Sequence, residues 1–253
     1  MMRTPVSIGL IGSTGDEVMR ALAPRIERLG FNALWLNDVP GGDSLAGLRA
    51  AAGVTETLGL ATGVIPLDRR PATTLDLTGL PVDRVTIGIG SGRARHPLAL
   101  VEDGIAALRE STGASIVVGA LGPRMRRLAA EQADGVLFNW LTPEAADPAM
   151  ADLRAAAGDR AARGILYVRT IVDPAARAEL EQEAERYGAF PSYAANFARL
   201  GIRAIDATLD GPAGLPDYDG VVDEIVLRAI TPTGSLAELE HFVETAAGWR
   251  DAV

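Results

Sequence analysis

The sequence has no cysteine and only two histidines among its 253 residues. Without cysteine the protein cannot form a disulfide, a zinc–thiolate or iron–sulfur cluster, or a thiol nucleophile. The two histidines, His96 and His241, are too few for a histidine-rich metal site. These absences exclude the thiol-based classes of active site, and we expect no metal.

Positive charge and long apolar runs are scarce as well. Lysine and arginine together number 24 against 33 aspartates and glutamates, and the formal net charge of −9 argues against a nucleic-acid or anionic-membrane partner. Weakly charged apolar stretches such as residues 58–67 are far shorter than the ~20 residues of a membrane span. Asp16 and Glu17 come before any cleavage-like signal, so no export is predicted. We expect a cytoplasmic protein that acts on a small-molecule substrate.

The pattern that is present is a repeat of short apolar or β-branched runs, each followed by a turn and a helical segment. Most runs lack polar alternation, which is typical of parallel strands buried on both faces. The eight runs are residues 6–11, 33–37, 60–65, 84–90, 115–119, 135–139, 165–172 and 224–230. Because α/β barrels of eight such units take roughly 250 residues, we predict one (β/α)8 barrel domain over residues 1–253.

Two segments break this rhythm. Between the third and fourth strands, three prolines and Gly79 leave room only for a stunted third helix. Residues 189–220 contain further prolines and glycines and form a segment too long for an ordinary loop. We therefore predict an irregular excursion over one barrel face before strand 8, with a short helix at residues 193–200. Pro24 lies inside the first helical pattern and predicts a kink or a break there.

The turn after the fifth strand has the composition of a phosphate site. In a parallel barrel the active site lies where strands end and helices begin, so these turns are the places to examine. Here small residues and a proline at the first helical position leave free amides in front of the helix dipole. The residues are Ala120, Leu121, Gly122, Pro123 and Arg124, of which Arg124 offers a charge-assisted contact. A tight turn with a solvated arginine explains the same segment.

Other strand ends also carry candidates. Ser91 and Gly92 follow the fourth strand and begin a segment with two arginines and a histidine, which suggests an anionic ligand or a solvated surface turn. Asn37 and Asp38 end the second strand, where a carboxylate can exchange a proton with a bound ring. Capping and turn formation are equally common roles for that pair.

Two more strand ends carry less specific signals. Gly63, at the end of the third strand, marks either a backbone distortion under a ligand or a plain strand-end glycine. Asn139 and Trp140 close the sixth strand, where the indole is suited either to wall a flat ligand or to pack against the next helix.

A competing signal lies in the first turn. Gly9, Gly12 and Gly15 follow a strand and precede a helix, and Asp38 ends the next strand, which imitates a nicotinamide-binding fingerprint. The glycine spacing is not that of G-x-G-x-x-G, and the βα rhythm continues to an eighth strand without a substrate domain. We therefore favour the barrel over a dinucleotide-binding fold.

Four segments together resemble one family, the luciferase-like flavin or deazaflavin oxidoreductases. They are residues 22–35, 60–64, 88–92 and the pair 120–125 with 133–144, so the resemblance spans nearly the whole chain. The last pair is the most specific and is similar to the branch related to methylenetetrahydromethanopterin reductase, whose members use the deazaflavin coenzyme F-420.

The resemblance implies that coenzyme F-420, an 8-hydroxy-5-deazaflavin, lies across the strand ends of the barrel. Its phosphate side would meet Ser91, Gly92 and residues 120–123, and Arg124 and Asn139 complete the expected coenzyme-binding set. A non-prolyl cis peptide behind the ring corresponds here to the bond between Gly63 and Val64. Asn37 and Asp38 match residues that approach the ring, and we expect Asp38 to be catalytic.

The expected activity is hydride transfer between the deazaflavin and an unidentified small organic substrate, in a chain that dimerises as the family commonly does. An FMN-dependent reductase or monooxygenase of the same fold is the first alternative. A non-catalytic coenzyme-binding protein is the second, favoured by the stunted third helix and by the absence of the insertion that larger relatives carry between strands four and five. Luciferases of the family use a histidine in this region, and none lies near Asp38 in the sequence, so luciferase chemistry is disfavoured.

Overall fold

The computed structural model describes residues 2–253. The strands in this range are β1 (Val6–Ile11), β2 (Ala33–Asn37), β3 (Gly59–Thr62), β4 (Ile65–Pro66), β5 (Val85–Gly90), β6 (Ser115–Gly119), β7 (Gly135–Asn139), β8 (Arg163–Thr170), β9 (Thr208–Leu209) and β10 (Glu224–Ala229). The α-helices are α1 (Asp16–Arg28), α2 (Ser44–Ala52), α3 (Pro97–Ser111), α4 (Pro123–Gln132), α5 (Pro143–Ala157), α6 (Arg177–Gly188), α7 (Pro191–Leu200) and α8 (Leu236–Ala252). Within residues 2–253, no helix has the length and apolar character that crossing a membrane requires.

Eight strands form a closed, all-parallel barrel. The order around the barrel is β10, β1, β2, β3, β5, β6, β7 and β8, and β10 also pairs with β8, which closes the ring. Strands β4 and β9 are two-residue additions that pair with β5 and β8. An α-helix follows every barrel strand except β3, so the predicted (β/α)8 architecture with a stunted third helix is confirmed.

The two predicted irregularities are also present. Between β4 and β5 the chain forms only a single 3-10 turn, Ala72–Thr74, in place of a third helix. The excursion before β10 follows α6 and contains α7, which covers the short helix predicted from the sequence. Helix α1, in contrast, continues through Pro24, so the break that this proline predicted is absent.

Side chains fill the centre of the barrel below its carboxyl-terminal end. Trp35 and Tyr167 meet edge to face at 6.2 Å, together with small and branched apolar residues from other strands. At the opposite end, Glu224 accepts hydrogen bonds from the Trp35 indole at 2.7 Å and from Ser7 at 2.6 Å. Because the interior is packed, a ligand has access only to the ends of the barrel.

Candidate functional site

Asn37 connects three strand ends at the carboxyl-terminal face. Its Nδ2 donates to the carbonyl oxygen of Gly63 at 2.5 Å, and its Oδ1 accepts from Nε of Arg228, the penultimate residue of β10, at 2.9 Å. The peptide between Gly63 and Val64 is cis, as the family resemblance implied. The Val64 side chain lies over Gly90, where a β-carbon would come within 2.8 Å of it. The structure therefore brings Asn37, Gly63 and Val64 together.

Asp38 follows Asn37 in the sequence, but its side chain contacts different residues. Its side chain is 3% exposed, and Oδ2 accepts from Ser44 at 2.9 Å and pairs with Nη1 of Arg70. Arg70 also pairs with Asp43 at 3.1 Å. The carboxylate thus joins the start of α2 to the loop after β4. These contacts support a positioning role, and proton transfer by Asp38 remains a prediction.

The amino-terminal turn of α4, residues 120–125, is open. Gly122 caps the helix without a side-chain hydrogen bond, and its carbonyl accepts from the amide of Arg126 at 3.1 Å. The amides of Leu121, Gly122, Arg124 and Met125 have no acceptor within residues 2–253. A β-carbon on Gly122 would meet no atom within 4 Å. Free amides at the start of a helix, with open space before them, form a suitable binding site for an anion.

The turn after β5, residues 91–93, is different because it already holds a carboxylate. The amide of Arg93 donates to Oδ2 of Asp68 at 2.9 Å. Gly92 has a φ of 59°, and a β-carbon there would overlap the Asp68 carboxyl group. Ser91 is half-buried beside it. The two turns expected to form one phosphate site therefore differ. The α4 turn has free amides, whereas the turn after β5 already contacts the Asp68 carboxylate.

A buried polar network next to Asn37 was not expected from the sequence. Arg169, near the end of β8, has only 2% of its side chain exposed and donates from Nε to Glu183 of α6 at 3.0 Å. Its Nη1 donates to Oδ1 of Asn139, and its guanidinium lies 4.1 Å from the Trp140 ring centroid. Nδ2 of Asn139 donates to the Tyr193 hydroxyl at 3.4 Å. Helix α6, through Arg169, and helix α7, through Tyr193, thus hold the predicted site residue Asn139.

Electrostatics keep the acid of this network charged. Burial alone would raise the pKa of Glu183, but the nearby charges of Arg169 and Arg228 outweigh it and hold that pKa below its ordinary value. Arg169 stands within a mostly apolar strand, and this charged residue could have indicated a buried polar contact from the sequence. Its partner on α6 was not identifiable, because nothing local links the two positions.

A cleft of about 740 Å³ opens at the same end of the barrel. It lies between the loops after β1 and β10 and helix α6, and its polar lining includes Ser13, Thr14, Gln182, Glu183, Arg186 and Arg228. In the strand order, β6 is three strands from β10 and four from β1. The cleft and the α4 turn therefore lie on opposite sides of the barrel mouth.

Tyr167 lies beneath this mouth with an unusual hydroxyl group. The residue is 2% exposed, and its hydroxyl has no hydrogen-bond partner within residues 2–253. The lack of side chains at Gly9 and Gly63 makes room for it, since β-carbons there would come within 2.9 and 3.2 Å of the hydroxyl oxygen. Burial raises the pKa of Tyr167 far above its ordinary value, so the phenol stays protonated.

Part of the chain matches a known family profile. Residues 12–113 match the family profile described as luciferase-like monooxygenase. The matched region runs from the turn after β1 into the loop after α3, and it includes Asn37, Asp38, Gly63, Ser91 and Gly92. No curated protein sequence matches this chain.

Solved structures share the fold over almost the full length of this chain. Monooxygenase RslO1 from Streptomyces bottropensis has a TM-score of 0.73 and 19% identity, over 97% of this chain and 98% of that one. The coenzyme F420-dependent tetrahydromethanopterin reductase from Methanopyrus kandleri has a TM-score of 0.65 and 18% identity, over 96% and 98%. The oxygenating constituent of 3,6-diketocamphane monooxygenase from Pseudomonas putida, solved with FMN, has a TM-score of 0.62 and 15% identity, over 97% and 98%.

Proposed function

We propose that this protein is an oxidoreductase that binds coenzyme F-420 across the carboxyl-terminal end of its barrel and passes a hydride between it and a small organic substrate. The family match and the shared fold support the class of oxidoreductases and monooxygenases. The F420-dependent reductase among the neighbours supports the deazaflavin within that class.

The observation that carries the proposal is the open α4 turn. Its four unpaired amides, the helix dipole and Arg124 suit the phosphate of a coenzyme, and no side chain of the protein fills the space before Gly122. The cleft on the opposite side of the mouth lies within the ~300–1,000 Å³ typical of ligand pockets. A ligand that reaches both must be elongated, as a phosphate-bearing flavin or deazaflavin is.

The residues between these two places have assignable tasks. When bound, the coenzyme supplies the carbon that gives or accepts the hydride. Asn37 holds the Gly63 carbonyl and the Arg228 guanidinium in place, so the surface under the ring is rigid. Arg228 lines the cleft and presents a fixed positive charge there. Asp38 fixes the loop after β4 through Arg70 and is the candidate for proton transfer.

An FMN-dependent reductase or monooxygenase is the second candidate. The α4 turn would accept the phosphate of FMN as well, and one structural neighbour was solved with FMN. A coenzyme-binding protein without turnover is the third candidate, favoured by the single turn that replaces the third helix. Binding separates the first two candidates, and turnover with the reduced coenzyme separates both from the third.

The test is a titration of the purified protein with F-420 and with FMN, followed by absorbance and fluorescence. Gly122→Glu places a carboxylate in the proposed phosphate-binding site. It should weaken coenzyme binding by ~2–3 kcal/mol, about 30- to 150-fold. Gly15→Glu is the matched control, because Gly15 caps α1 in the same way, with no side-chain hydrogen bond and open space around it.

We expect tight binding of F-420 to the wild type and to Gly15→Glu, and weak binding to Gly122→Glu. Equal binding by a folded Gly122→Glu variant would remove the α4 turn from the site. Loss of binding in Gly15→Glu alone would move the phosphate to the turn after β1, where the nicotinamide-like pattern lies. Binding of FMN in preference to F-420 would select the second candidate.

A further inference from the structure

The turn after β5 contains an anion that belongs to the chain itself. Oδ2 of Asp68 accepts the amide hydrogen of Arg93 at 2.9 Å, and the carboxyl group lies directly against Gly92. The sequence suggested an anionic ligand at this turn, and in the structure Gly92 has a φ of 59°, which glycine adopts readily. The close approach is present, but the approaching anion is a side chain.

Backbone contacts keep Asp68 at this position. The amide of Leu67 donates to the carbonyl of Gly90 at 2.8 Å, which fixes the start of the loop to the end of β5. The amides of Arg69 and Arg70 both donate to the Pro66 carbonyl, at 3.1 and 3.0 Å, and form a tight turn around Asp68. The carboxylate is therefore presented to residues 91–93 by an ordered turn.

The charge of Asp68 is not neutralised by a neighbouring cation. Within residues 2–253, Asp68 forms no ion pair, and its one hydrogen bond comes from the Arg93 amide. The Arg93 guanidinium lies over the Phe190 ring, 5.3 Å from its centroid, and does not pair with the carboxylate. Asp68 is exposed, so its negative charge faces the outside of the turn.

We propose that Asp68 determines which anionic ligands the barrel mouth accepts, by occupying the β5 turn and repelling phosphate groups from it. This inference rests on the proposed coenzyme site and refines it, since the phosphate is then held by the α4 turn alone. Repulsion grows with the charge of the ligand, so a phosphate monoester with about −1.5 to −2 charge suffers more than a ligand without phosphate.

The test compares FMN with riboflavin, which has the same ring and no phosphate. Asp68→Asn keeps the shape and an acceptor for the Arg93 amide but removes the charge. It should strengthen FMN binding by about tenfold and leave riboflavin binding unchanged. Asp83→Asn is the matched control, because Asp83 is exposed in the same connection between β4 and β5 and forms no hydrogen bond or ion pair within residues 2–253. It should bind both ligands as the wild type does.

Salt provides a readout that a purely structural role would not change. In 1 M salt the Debye length falls to about 3 Å, so the advantage of Asp68→Asn for FMN should shrink toward zero. Asp68→Ala, which also frees the Arg93 amide, should likewise strengthen FMN binding. Thermal melting of each variant verifies that the exposed substitutions leave the fold intact.

The inference is overturned if Asp68→Asn and Asp83→Asn bind FMN equally, or if Asp68→Asn strengthens riboflavin binding to the same degree as FMN binding. In either case the wild type still binds a coenzyme, and the proposed function stands. If the wild type binds neither F-420 nor FMN, the proposed function fails, and the role of Asp68 fails with it.

Discussion

Replacing Asp38 by Asn removes one charge from the barrel rim while preserving the shape of the side chain. The carboxylate is 3% exposed and Arg70 is 26% exposed, so the pair is buried on one side and partly solvated on the other. Asn can still accept the hydrogen bond from Ser44, which is 2.9 Å long in the wild type. Arg70 keeps its second partner, Asp43, at 3.1 Å.

The size of the effect follows from this mixed environment. Breaking a fully buried ion pair costs about 3–5 kcal/mol, because it leaves an uncompensated charge, whereas an exposed pair contributes about 0–1 kcal/mol. Since Arg70 is partly solvated and keeps Asp43, we expect Asp38→Asn to lower the free energy of unfolding by about 1–3 kcal/mol in urea denaturation. Asp43→Asn, at a side chain 52% exposed, is the control and should cost less than about 1 kcal/mol.

The same variant tests chemistry when turnover is measured per folded molecule. If Asp38 transfers a proton, the rate should fall by about 10²- to 10⁴-fold while coenzyme affinity is kept. A variant that is less stable but turns over normally would restrict Asp38 to positioning. An Asp38→Asn protein as stable as the wild type, beside a larger loss in Asp43→Asn, would refute our account of the ion pair.

The remaining predictions concern two buried tyrosines and one partly buried glutamate. Tyr167→Phe removes a hydroxyl without a partner and should leave the free energy of unfolding unchanged or raise it by up to about 1 kcal/mol. Tyr218→Phe leaves the Leu141 carbonyl, which accepts at 3.1 Å, unpaired and should cost about 1–3 kcal/mol; equal effects in urea denaturation would contradict this comparison. Glu183 has a pKa below its ordinary value of 4.5, so its ion pairs stabilise the protein above that pH and the contribution is lost as the pH falls through the lowered pKa. Glu183→Gln should therefore flatten the acid side of the stability curve, and a curve as steep as that of the exposed control Glu181→Gln would be inconsistent with this role.

The sequence by itself determined the barrel, because the barrel depends on a local and repeated pattern. Eight apolar runs, all but the third followed by a full helical segment, predict eight parallel strands, and seven of the eight appear as single strands within two residues of the predicted bounds. The third run is the exception, since it divides into β3 and β4 around the cis peptide after Gly63. Prolines also predicted the missing third helix and the irregular excursion. The pyrrolidine ring of proline fixes the backbone φ angle and removes an N–H donor, so proline disfavours the interior of a helix.

The tertiary structure alone decided what each polar side chain at the mouth contacts. Arg228 donates to Asn37 across 191 positions of sequence, and these residues meet only because β10 closes the ring against β1, next to β2. The anion beside Gly92 is Asp68 for a similar reason, since the loop after β4 folds back along β5. Strand formation follows from local hydrophobic period, whereas ion pairs depend on distances between elements, which the order and closure of the sheet determine.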